Sequence, residues 1–190
     1  MKTKLKRVVG FARFDESYAS VNWFGSMALA LALVFTLASG IFAQEPDELP
    51  PGVVPPPLAV VPKDIREKLD AEKDPSDRVK LALGYMDSAL AAADASAEKN
   101  EYDESLAALG KFRALLQDTM RYLSQYSQAS KALKGYKRFE IGLREFIPSL
   151  ELIRRNMPPS HGYHAEKIIG EVKDARKKSV EKFFGELATD

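Results

Sequence analysis

The sequence predicts an all-α domain, arranged as antiparallel helical hairpins or as an elongated bundle of about four helical segments. After residue 62, apolar residues recur at intervals of three and four, which is the spacing of one helix face. No window of alternating β-branched or aromatic residues predicts a strand. Residues 63–190 hold 23 basic and 22 acidic side chains, so we expect helices with densely charged outer faces.

Residues 1–43 are predicted to be a signal peptide or an N-terminal membrane anchor. Five basic residues precede a stretch of 28 residues without charge, from Ser17 to Gln44. Within it, residues 23–43 are mostly apolar and would span about 30 Å as a helix, enough for a transmembrane helix. Small residues before positions 41 and 44 offer cleavage sites to a signal peptidase, so cleavage and retention both stay open.

Both outcomes predict the same topology. The basic residues precede the apolar run and acidic residues follow it, which keeps the N-terminus in the cytoplasm and exports the rest. We therefore expect an extracytoplasmic protein, periplasmic or secreted, or one anchored in the inner membrane. Membrane contact through residues 23–43 is expected only if the segment is not cleaved.

Residues 44–62 are predicted to be a proline-rich linker. Seven prolines lie between Pro46 and Pro62. Proline removes backbone donors and favours the extended polyproline II conformation. We expect a stiff tether in front of a helical domain at residues 63–190.

The first helices have clear start signals. A short helix is expected at residues 63–70, with Ile65 and Leu69 one turn apart. The next should begin with Asp74 as its N-cap and Pro75 in its first turn. The apolar stripe of this helix consists of Val79, Leu83, Met86, Leu90, Ala93 and Ala97. It ends in a run of alanines that would let a neighbouring helix approach closely.

Residues 102–157 form either one helix or two. Asn100 is the candidate N-cap, and Leu109, Leu116 and Leu123 repeat every seven residues, as in a coiled coil. The second half has the strongest stripe in the sequence, made of Tyr136, Phe139, Leu143, Phe146, Leu150, Ile153 and Met157. A single helix would be bent near 127–135 and kinked at Pro148.

A last helix follows the break at Pro158-Pro159-Ser160. Its expected apolar residues are Ile168, Ile169, Val172, Ala175, Val180, Phe183, Phe184 and Leu187.

Two short stretches resemble known proteins. Residues 99–106, Lys-Asn-Glu-Tyr-Asp-Glu-Ser-Leu, resemble the turn between the paired helices of a tetratricopeptide repeat, where an aromatic residue opens the second helix. The run at residues 137–144, together with the export signal and the proline segment, is similar to uncharacterised exported helical proteins of bacteria. The resemblance implies a helical architecture and no particular activity.

The sequence lacks the residues that most catalytic mechanisms need. The absence of cysteine excludes disulfides, thiolate metal sites and cysteine nucleophiles. Gly110-Lys111 is followed by Phe112, so it is not a phosphate-binding loop. The near-neutral charge gives no reason to expect nucleic-acid binding. We expect neither enzymatic activity nor a cofactor.

His161 and His164 are the only histidines and lie three residues apart, with Glu166 close by. This spacing can place both rings on one helix face, which makes them the candidate ligands of a metal site. Since no further ligand can be identified, exposed or capping histidines are the favoured interpretation.

The two halves of the domain carry opposite charge. Residues 63–130 hold 10 basic and 13 acidic side chains, whereas residues 131–190 hold 13 and 9. The clusters at residues 154–155 and 176–178 could contact anionic headgroups or cell-wall polymers, although a solvated face is the simpler explanation.

We therefore expect an exported helical protein that serves as a protein-interaction or structural module of the cell envelope. Its partner would be an unidentified envelope protein or a second copy of the chain. The alternative is an extracytoplasmic module that binds a metal or small ligand through His161 and His164.

Overall fold

The protein, seen in a computed structural model, is described at residues 49–126 and 129–187. Its helices are α1 (Lys63–Ala71), α2 (Pro75–Glu98), α3 (Tyr102–Gln125), α4 (Ala129–Asn156) and α5 (Pro159–Leu187). These two ranges contain no strand, and the all-α prediction is confirmed. The predicted export segment at 1–43 and residues 44–48 of the linker lie outside them. Among the helices described, none is long and apolar enough to cross a bilayer.

The helices form two antiparallel hairpins, α2–α3 and α4–α5, that lie side by side. Helix α2 packs on α4, and α3 packs on α5. Gly135 lies next to Val79 and Gly142 next to Leu83, so α2 and α4 run in the same direction. This arrangement matches the predicted antiparallel hairpins.

Residues 102–157 form two helices, so the single bent helix that the sequence also allowed is wrong. Helix α3 ends at Gln125 and α4 begins at Ala129. Both helices bury their apolar stripes against α2, and a continuous helix could not fold back onto it. Pro148 lies inside α4, which continues through it.

The two predicted N-caps have different outcomes. Asp74 caps α2 as expected, because its carboxylate accepts hydrogen bonds from the amides of Ser76 and Asp77 at 2.9 and 3.2 Å. Asn100 does not cap α3. It has a φ of 62°, and its amide donates to Ala97 while that of Glu101 donates to Ser96. These bonds end α2 in a Schellman motif, where asparagine tolerates the left-handed conformation.

The core lies between the hairpins and contains most of the predicted stripe residues. In α2, alanines allow the close approach that was expected, since the Ser105 hydroxyl of α3 donates to the buried Ala93 carbonyl at 2.7 Å. Two expected apolar positions of α5, Val180 and Phe184, are instead exposed. The largest fully buried side chains include Val79, Met86, Leu109, Phe112, Leu123, Phe139, Leu143, Leu150, Ile153 and Ile168.

The predicted linker does not stand free over its described C-terminal part. The Val54 amide donates to the Ser160 carbonyl at 3.3 Å. The Leu58 carbonyl lies directly over Gly110 of α3, and Val61 is buried. Residues 53–62 therefore contact the helical domain at Val54, Leu58 and Val61, whereas the sequence led us to expect a stiff tether over residues 44–62. We call residues 53–62 the proline strap.

Candidate interaction surface

The two histidines form contacts that connect the start of α5 to α3 and to the proline strap. The His161 ring lies between the Ser160 hydroxyl, at 2.9 Å, and the Asp103 carboxylate, at 3.3 Å. His164 is buried, and its Nε2 donates to the Val54 carbonyl of the proline strap at 2.7 Å. Both Nε2 atoms thus already have protein partners.

Metal binding gains no support from the surroundings of these histidines. Glu166 is exposed and forms no part of the contacts of either ring. Over the two described ranges, no three His, Asp or Glu side chains gather closely enough to hold a metal ion. The histidines are instead used to hold the proline strap and α3 against α5.

A buried ion cluster joins α1, α2 and α3. Arg78 and Asp118 have side chains only 5% and 6% exposed and pair at 3.1 Å. Arg78 also donates to the Leu69 carbonyl at 3.0 Å, and its guanidinium lies 4.0 Å from the centre of the Tyr122 ring. Burial raises the pKa of Asp118, but hydrogen bonds from Arg78 and Arg121 outweigh it, so the pKa lies below its ordinary value.

A second cluster joins α4 to α5. The Glu140 carboxylate accepts hydrogen bonds from Arg144, one turn along α4, at 2.9 Å and from Arg176 of α5 at 2.8 Å. These bonds hold the pKa of Glu140 below its ordinary value, with Arg144 contributing most. This cluster lies where the outer faces of α4 and α5 meet.

Beside this cluster lies an exposed surface that we call the α4–α5 basic face. Helix α4 contributes positions 134, 137, 141 and 144, and α5 contributes 173, 177, 180 and 184 together with Arg176. Each set of four follows the three-and-four spacing of one helix face. Its members are Lys134, Lys137, Ile141 and Arg144 of α4, and Lys173, Arg176, Lys177, Val180 and Phe184 of α5.

Two contacts fix how these stripes lie against each other. Glu140 meets Arg176, and the Lys137 ammonium lies 5.7 Å from the centre of the Phe183 ring. In this antiparallel register, Lys134 is level with Phe184 and Ile141 is level with Lys177. At these two levels, a cation of one helix therefore faces an apolar side chain of the other.

The apolar members of the face are unusually open to solvent. Phe184 is 61% exposed, Ile141 48% and Val180 37%. The lysines at 134, 137, 173 and 177 are exposed as well and form no ion pair with any residue of the described ranges. A shallow cavity of about 460 Å³ adjoins Lys134, Lys137 and Ile141 and reaches Ser76 of α2. The face thus presents cations and exposed apolar groups in one place.

The basic clusters seen in the sequence only partly coincide with this face. Arg176 and Lys177 belong to it. Arg154 lies next to Gly162 at the opposite end of the hairpin and pairs with Glu151 at 3.0 Å. Lys134, Lys137 and Lys173 were missed because they are scattered along the sequence. Their signal was a second periodic stripe on the outer side of each helix.

A different groove lies between the proline strap and α3. It has a volume of about 600 Å³ and is bordered by Leu58, Val60, Leu106 and Ala107. Leu58 is 85% exposed. No feature of this groove indicates the chemistry of an occupant.

Comparison with known proteins gives no family for this chain. No protein-family model matches it, and neither the curated proteins nor the solved structures include a significant match.

Proposed function

We propose that this chain is an exported helical module of the cell envelope that acts by surface contact and has no catalytic chemistry of its own. The observation that carries the proposal is the α4–α5 basic face. Exposed phenylalanine, isoleucine and valine side chains lie there among lysines that form no ion pair within the described ranges, and an exposed apolar patch with a polar rim indicates a contact surface. Its exposed apolar side chains contribute little to the buried core.

The use of the other polar groups supports the same proposal. Arg78 with Asp118, Glu140 with Arg176, and both histidines are engaged in contacts that join separate helices or the proline strap. Groups engaged in this way position the backbone rather than activate a substrate. Binding and scaffolding are therefore better supported than catalysis or metal binding.

Photocrosslinking in the source cells tests the proposal. Benzoylphenylalanine would replace Lys137 on the face in one full-length variant and Lys111, an exposed residue of α3, in another. We expect a discrete adduct, with protein or lipid, from position 137 and none from position 111. Equal labelling at both positions, or none at either, would contradict the proposal.

A further inference from the structure

We infer that the α4–α5 basic face binds the surface of an anionic phospholipid bilayer. This inference rests on the proposed function, in which the face is the contact surface of the protein. It adds the chemical class of the partner: phosphate-bearing headgroups above a hydrocarbon layer.

Charge complementarity is the first argument. The face holds six basic side chains. Its carboxylates are Glu140, which Arg144 and Arg176 already neutralise, and the exposed Glu145 and Glu181 at its edge, so the cations outnumber the carboxylates six to three. Clusters of this size are attracted by anionic lipid surfaces. Because the attraction decays over a Debye length of roughly 8 Å, only cations on one face act together. Here the two stripes place them on one face.

The exposed apolar side chains are the second argument. Phe184, Ile141 and Val180 lie on the same face as the lysines. The lysine stems are long enough to leave the ammonium groups at the headgroups while the apolar groups enter the layer below. A purely polyanionic partner, such as a nucleic acid or an acidic polymer, would leave these apolar groups in water. A bilayer interface matches both kinds of side chain at once.

The geometry of the two helices is the third argument. Each stripe covers about three helical turns, or roughly 15 Å, and the two run side by side. The resulting contact is long and shallow, without an enclosed cavity among its members. That shape suits a fluid planar surface, whereas a folded protein ligand is usually held by a central pocket.

A fluorescent label at a single site tests the inference in the full-length chain. Because the sequence has no cysteine, I141C supplies a unique thiol for the dye NBD, and L58C on the proline strap supplies the matched control. The labelled chains would be added to vesicles of phosphatidylglycerol and phosphatidylcholine, and to vesicles of phosphatidylcholine alone. The predicted apolar segment at 23–43 and the five basic residues before it are present in both labelled chains, so they do not account for a difference between the labels at 141 and 58.

We expect the label at 141 to shift to shorter wavelength, and to be quenched by spin-labelled lipid, only with the anionic vesicles. The label at 58 should stay in water with both. A shift at 141 that is equal with neutral vesicles would overturn the inference, because headgroup charge would then play no part. So would a shift of equal size at both positions.

Charge reversal provides a second measurement. The triple variant K134E/K137E/K177E should weaken binding to the anionic vesicles on the order of 100-fold. The control K80E/K99E/K111E makes the same change in net charge at exposed lysines outside the face and should weaken it only about three-fold. Circular dichroism and melting temperature confirm that both variants are folded. Equal losses in the two variants would overturn the inference.

The two experiments separate the inference from the proposed function. If position 137 crosslinks to a protein while the label at 141 remains in water, the inference of a lipid partner is wrong, and the proposal that the face is a contact surface is still supported. If position 137 gives no adduct and the label shows no shift, both are wrong.

Discussion

The carboxylate of Asp118 accepts hydrogen bonds from arginines of three helices: Arg66 of α1, Arg78 of α2 and Arg121 of α3. Arg78 depends on Asp118 most, because its guanidinium is buried and its Nη2 donates to the Asp118 carboxylate at 3.1 Å. The Nη1 of Arg78 has no hydrogen-bond partner in the described ranges. Removing the charge of Asp118 would leave Arg78 without its buried counterion. A buried cation without a counterion is among the most destabilising defects of a folded protein.

We predict that D118N lowers the free energy of unfolding by about 3 kcal/mol. The amide keeps the size of the side chain but loses its negative charge, so Arg78 is left with the partially exposed Asp70 alone. Urea denaturation followed by circular dichroism measures the loss.

The matched control is D70N. Asp70 also pairs with Arg78, at 3.2 Å, but its side chain is 61% exposed. Solvent screening limits such a pair to less than about 1 kcal/mol. If D118N and D70N destabilised the protein equally, burial would not be the source of the effect.

Among the segments of the chain, the proline strap differs most from its sequence-based prediction. Its composition indicates an extended conformation, and composition alone cannot show whether an extended segment is free or packed. Two features of the helices hold it: the His164 ring donates to Val54, and Gly110 leaves room for the Leu58 carbonyl. A glycine is thus required at position 110, because the backbone of the proline strap comes too close to α3 there to leave room for a side chain.

We predict that G110A detaches part of the proline strap. An added Cβ would lie 2.5 Å from the Leu58 carbonyl oxygen and 3.2 Å from the Pro57 Cβ, so the backbone must move away. The stability should fall by about 1–2 kcal/mol, since overpacking exceeds the helical gain from alanine. Hydrogen exchange should also become faster at the Val54 amide.

Gly170 of α5 provides the control. No atom lies within 4 Å of the Cβ that alanine would add there. G170A should therefore stabilise the protein by about 0.5–1 kcal/mol and leave exchange at Val54 unchanged. Faster exchange at Val54 in G170A would show that the strap responds to helix substitutions in general.

At the scale of the whole molecule, two carboxylates join separate elements, and both have lowered pKa values. Asp118 links α1, α2 and α3, while Glu140 links α4 to α5. Their ordinary pKa values are 3.8 and 4.5, and both lie lower in the folded protein. A lowered folded-state pKa contributes stability above the unfolded value, and this contribution is lost as the pH falls through the folded value.

We therefore predict that the free energy of unfolding is nearly constant between pH 7 and about pH 5 and decreases steeply below about pH 4. The double variant D118N/E140Q should be less stable at pH 7 and show a shallower decrease in acid. Urea titrations at a series of pH values measure both slopes. Identical slopes for the two proteins would assign the acid sensitivity to other carboxylates.

Local features of the sequence predicted the helices well. The Asp74 cap, the proline break at 158–159 and the stripes containing Leu109 and Leu143 all depend on residues within a few positions of one another. Neighbours along the chain determine helix starts, helix ends and the apolar face. These are the features that periodicity can report.

Features that join distant residues were not predictable in this way. Asn100 lies at the end of α2, although asparagine is also a favoured residue at the start of a helix. Which of the two positions it takes depends on how α3 meets α2. The α4–α5 basic face combines residues up to 50 positions apart, from 134 to 184, whose charges cannot be seen as one cluster before the hairpin register is known.

By itself, the sequence determined the all-α class, the helix faces and the opposite charge of the two halves, because short-range spacing and composition carry that information. Only the tertiary structure decided that α3 and α4 separate, that Pro57 and Leu58 pack on Gly110, and that Lys137 of α4 lies over the Phe183 ring of α5. Each of these depends on which surfaces meet in space. That choice is made by packing and by buried ion pairs between residues far apart along the chain.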